Sequence, residues 1–127
     1  MSAEWNAVAS ELVACLKRQR EQFRVFLELL ARQRDALVSR DTESLERITA
    51  EQERAIAHSR QIEDARRDLT ARLARLGEGL TEARTISDIT RLVEASEATE
   101  LAQIQIQLQG QQEEIERRSR LNAALVE

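Results

Sequence analysis

Cys15, His58 and two carboxylate pairs, Glu51 with Glu53 and Glu113 with Glu114, are the side chains of this 127-residue chain whose types could do chemistry. A thiol beside an imidazole would make a nucleophile, and an imidazole with companions at helical spacing would hold a metal. Neither arrangement occurs. Cys15 is the single cysteine, which excludes an intrachain disulfide and a thiol-based zinc site, and it stands in an apolar run with no histidine near it in sequence. It reads as a small buried hydrophobe. His58 is the sole histidine and has no partner at metal-binding spacing, so it reads as a surface or boundary residue. The carboxylates have ordinary helical surface spacings and read as solvated. No glycine-rich loop is present to cradle a phosphate. The chain is expected to be no enzyme and to use neither cofactor nor metal.

Leu12-Val13-Ala14-Cys15 spells a lipoprotein-type cleavage box, but Glu4 and Glu11 precede it, without a basic start or a long apolar stretch. The longest apolar run is the five residues Leu12 to Leu16, where a spanning helix needs about 20. No membrane insertion and a cytoplasmic location are expected. Nucleic-acid binding is not expected either. Beyond the first helix, Arg117, Arg118 and Arg120 form the only tight basic cluster, with no aromatic residue near them.

The elements that would carry these residues are helices. The chain has no proline, three glycines, 2% aromatic residues and 33% charged residues, so the turn and strand signals of an all-β fold are missing. Eighteen arginines interleaved with acids fit a solvated, salt-bridged helical surface. One domain over residues 1–127 can bury about two-thirds of its unfolded surface.

From 4 to 38, Leu12, Leu16, Phe23, Leu27, Leu30 and Leu37 repeat at helical spacing, with Gln19 and Arg34 filling the gaps in the stripe. From 42 to 76, Leu45, Ile48, Ala55, Ile62, Leu69, Leu73 and Leu76 continue in steps of three and four, through a seam diluted at Gln52, Ser59 and Arg66. A tight turn at Ser39-Arg40-Asp41 is expected between them, with Asp41 accepting from the next exposed amides. Gly77 and Gly79 suit a helix stop. Thr85 followed by Asp88 has capping-box form and predicts a short helix over 86–94.

A third long helix is expected over 97–125, with the stripe Leu101, Ile104, Leu108, Gln111, Ile115, Arg118, Asn122 and Leu125. The fold class is therefore all-α: an antiparallel three-helix bundle of long coiled-coil-like helices with a short extra helix before the third. The third helix breaks local rules. Residues Gln103 to Gln109 alternate polar and apolar, and Gly110 costs about 1 kcal/mol relative to alanine in a helix interior. Ile106 then points away from the face shared by Ile104 and Leu108, either as an ordinary exposed apolar residue on a helix held by its neighbours or as part of a side kept for a partner.

The hairpin ALVSRDTESLERITAEQERAIAHSRQIEDARRDL, with Ala36-Leu37, Asp41, Leu45, Ile48-Thr49 and Arg66 to Leu69 in order, resembles the FlgN family of flagellar type III export chaperones. The resemblance continues through the glycine break, TISDITRL from Thr85 to Leu92, and a closing helix with Asn122 and Leu125. It implies a cytoplasmic chaperone that binds the C-terminal helices of the hook-filament junction proteins FlgK and FlgL, prevents their early assembly and delivers them to the export apparatus. It also implies a partner-helix site in the C-terminal region, at Ile104, Leu108, Ile115, Leu121, Asn122 and Leu125. A FliT-like chaperone of the filament cap protein and a homodimeric coiled-coil adaptor are the alternatives.

Overall fold

A computed structural model describes residues 3–76 and 95–126, with side-chain surroundings from residue 99 in the last helix. The described residues form three helices, α1 Ala3–Ser39, α2 Thr42–Leu76 and α3 Ala95–Val126, and no strand. At 37, 35 and 32 residues each is about 50 Å long. The glycine stop and the short helix expected over 86–94 lie outside the described residues.

The turn between α1 and α2 is local chemistry. Arg40 takes a left-handed conformation, φ 55°, while its N–H donates to Leu37 O (3.3 Å) and that of Asp41 to Ala36 O (2.9 Å). These two bonds close a Schellman motif with arginine at the position that glycine normally holds. Asp41 then caps α2. Its carboxylate accepts from Ser44 N (3.1 Å) and Ser44 Oγ (2.6 Å), and these bonds hold its acidity below the usual carboxylate range. Glu43 in the first turn and Arg75 in the last suit the helix dipole. Replacing Arg40 by glycine is expected to raise the unfolding free energy by about 0.5–1 kcal/mol, because the left-handed strain outweighs the added freedom of the unfolded chain. A urea midpoint that moves down instead would refute this account of the turn.

Cross-helix pairs set the layout. Glu11 meets Arg72 (3.6 Å), Cys15 meets Ile62 (3.4 Å), and Arg32 meets Glu51 (2.9 Å), so α2 runs back along α1. Lys17 meets Glu100, Arg20 meets Gln107 and Leu30 meets Asn122, so α3 runs in the same direction as α1. The first helix packs along both others, whereas α2 and α3 barely touch among the described residues.

The main core lies at the end where α1 begins. Trp5, Val8, Leu12 and Leu16 of α1 join Ile62, Leu69 and Leu73 of α2 and Leu101 and Ile104 of α3. The spacing 5, 8, 12 and 16 keeps one face of α1 inward, which is why this end closes on three sides. Towards the opposite end, Leu29, Leu30 and Ala36 of α1 and Ile48 and Ala55 of α2 are buried, while past Ile104 no apolar side chain of α3 is fully buried. Leu101 and Ile104 therefore fasten this part of α3 by the hydrophobic effect, and the part beyond them is held differently.

Candidate functional site

Polar residues in the α3 stripe fasten its second half. Gln111 Nε2 donates to Arg20 O (3.0 Å), Arg118 Nη1 to Leu27 O (3.2 Å) and Asn122 Nδ2 to Leu30 O (3.0 Å), each reaching a backbone carbonyl of α1. Asn122, 4% exposed, also donates to Gln33 Oε1 (2.9 Å), which in turn accepts from Gln52 Nε2 of α2 (3.3 Å). Such bonds contribute on the order of 1 kcal/mol each, less than a buried leucine, so they dock the helix without closing an apolar seam.

The six residues implicated by sequence divide accordingly. Ile104, 2% exposed, belongs to the main core, and Leu108 packs partly buried against it. Asn122 is turned inward. Ile115 is half-buried, whereas Leu121 and Leu125 are 52% and 47% exposed. Ile104 and Leu108 are thus brought together by the core, and Leu121 and Leu125 stand apart near the end of α3. Ile106 is 69% exposed, opposite the Ile104 face as the alternation suggests. A methyl group at Gly110 would meet nothing within 4 Å, so close packing does not require this glycine.

Because α2 and α3 both lie on α1 and barely touch each other, a groove opens between them beyond the shared core. One cleft of about 310 Å³ is floored by Cys15, Leu16, Gln19 and Phe23 and walled by Ile62, Glu63 and Arg66 of α2 and by Leu108, Gln105, Gln109 and Gln112 of α3. A second of about 290 Å³ shares Gln19, Phe23 and Glu63 with it and adds Phe26, Ile56, Ser59, Arg60 and Ile115. From Cys15 to Phe26 the floor spans about three helical turns, roughly 16 Å. Sequence reasoning missed Phe26 and Ile56. Their signal was an extra apolar residue beside the stripe: Phe26 beside Phe23, and Ile56 near the small seam residue Ser59.

The groove holds no reactive group. Burial pushes the Cys15 thiol up against the pull of Arg18 and Arg66, and its Sγ donates to Ile62 O, so it stays a thiol. Glu63 is held below the usual carboxylate range chiefly by hydrogen bonds from Arg66. On the surface of α3, Arg117 and Arg118 hold Glu114 down to about 2. His58 is exposed. An apolar floor between a charged wall and an amide wall has the chemistry to cover the apolar face of a helix.

The described helices include none long and apolar enough to cross a membrane. A family model described as FlgN protein matches residues 1–127, the whole chain. No curated protein and no solved structure matches it.

Proposed function

The chain belongs to the FlgN family of flagellar export chaperones, and from that membership we propose that it binds the C-terminal segments of the junction proteins FlgK and FlgL. In this reading it works in the cytoplasm, keeps those segments from assembling early and hands them to the type III export apparatus. The observation that carries the reading is the family match over the full chain. Leu108 and Ile115 support it, because α1 and α2 leave these apolar side chains of α3 partly uncovered, while Leu121 and Leu125, about half-exposed at the end of α3, are the rival place for the tail. Ile104 and Asn122 then serve by fixing α3 on α1 rather than by touching cargo. A tail destined to pack as helices in a filament carries an apolar stripe that needs temporary cover.

Magnitudes suit a carrier that lets go. Four buried leucine or isoleucine side chains yield about 6–12 kcal/mol gross, and ordering the tail removes about 2–5. A net near 8 kcal/mol is about micromolar.

The test is a fluorescence-anisotropy titration of the full chain with labelled C-terminal peptides of FlgK, FlgL and the filament cap protein. Junction-protein tails are expected to bind at about micromolar concentration and the cap tail at least about tenfold more weakly. The reverse order would replace this reading with the FliT-like one, and binding of neither would remove the cargo assignment.

A further inference from the structure

We propose that the groove between α2 and α3 seats a single amphipathic helix of the cargo tail, about three turns long, acidic along the edge facing α2 and uncharged along the edge facing α3. This rests on the chaperone reading above and adds to it a place and a chemistry.

Geometry provides the length and the apolar face. Phe23 and Phe26 form the floor, with Ile56 on one wall and Leu108 and Ile115 on the other, so an entering helix meets apolar side chains from three helices at once. Set between α2 and α3, it would bring the α1 platform to four-helix packing.

Charge provides the edges. On the α2 wall, Glu63 is engaged by Arg66, while Arg60 has no ion pair among the described residues, which leaves that edge net positive. The α3 residues that line the groove, Gln105, Leu108, Gln109, Gln112 and Ile115, are all uncharged in a chain that is 33% charged. Amides are less costly to desolvate than charges, and glutamine both donates and accepts, so this wall tolerates different uncharged partners.

A second copy of the chain fits poorly. The most exposed large apolar residues of its described helices are Val38, Ile56, Ile106, Leu121, Leu125 and Val126. No three-turn stripe on one helix can be drawn through them.

The experiment titrates the full chain with labelled FlgK and FlgL C-terminal peptides. The variants are Ile56→Asp, Arg60→Glu and Arg60→Lys at the groove, and Leu121→Ser with Leu125→Ser at the end of α3. Helicity is checked for each by circular dichroism. Ile56→Asp and Arg60→Glu are each expected to weaken binding about tenfold, with Arg60→Lys near wild type and the serine pair within about twofold. If the groove variants bind as wild type while the serine pair loses the tail, the groove is refuted and the chaperone reading stands. If wild type binds neither tail, both fall. If the free protein sediments as a dimer that Ile56→Asp converts to monomer, the groove is a homodimer interface and the proposal is overturned. Arg60 is exposed, so Arg60→Glu decides the matter even if Ile56→Asp fails to fold.

Discussion

Replacing Trp5 by alanine is expected to lower the unfolding free energy by about 3–5 kcal/mol, about a fifth or more of the roughly 5–15 kcal/mol that a domain of this size has. Trp5 is fully buried in the one cluster to which all three helices contribute. An indole buries about 150–250 Å², worth about 4–6 kcal/mol at 25 cal/mol per Å². Alanine would also leave a cavity between long helices that cannot easily close on it. Urea unfolding followed by circular dichroism measures the loss, with Val38→Ala, at an exposed position, expected to stay within about 0.5 kcal/mol. A loss below about 1 kcal/mol for Trp5→Ala would mean that this end of the bundle is not its stable end. Cargo affinity of the variant, measured where it is still folded, should be unchanged, because the groove floor begins about three turns further along α1.

That separation between a stable end and a receptive middle was only partly legible in the sequence. Leu12, Leu16, Leu69, Leu73, Leu101 and Ile104 stand on the stripes that helical periodicity marks, and they form the core. Trp5 and Val8 extend the α1 stripe by two more turns. Periodicity assigns residues to a face and is silent about what covers that face at each level. The stripe of α3 shows the consequence. Its 3.5-residue repeat drifts about 20° per heptad on a straight helix, so by Leu125 the line has turned some 60–70° from where Leu101 and Ile104 meet α1. Leu125 is accordingly half-exposed.

Gln111, Arg118 and Asn122 look in sequence like dilutions of an apolar seam. Their acceptors, the carbonyls of Arg20, Leu27 and Leu30, lie about 90 residues away on a parallel helix, and no local pattern announces them. The same blindness hid Phe26 and Ile56. Each is one apolar residue too many for its own stripe, and only the parting of α2 and α3 beyond the shared core gives the two a common groove.

Asn122→Asp is expected to cost about 2–4 kcal/mol at neutral pH, more than the loss of two hydrogen bonds alone. The asparagine donates from one nitrogen to Leu30 O and Gln33 Oε1. An aspartate of the same shape would turn a carboxylate oxygen towards those two acceptors. Gln33 could turn its amide over to donate to the new carboxylate, but it would then present a nitrogen to Gln52 Nε2, which donates to Gln33 Oε1 now, so Gln52 would have to turn as well. The Leu30 carbonyl cannot turn, since it belongs to α1. The aspartate would therefore be favoured in its protonated form, with a folded-state pKa above its unfolded value of about 3.9. In the window between those two values the native state binds the extra proton, so the variant loses stability as pH rises and regains it as pH falls. Urea midpoints of wild type and variant should thus converge between pH 7 and pH 4. A gap that is constant over that range, or that widens on acidification, would show that Asn122 does not hold α3 through these two donations.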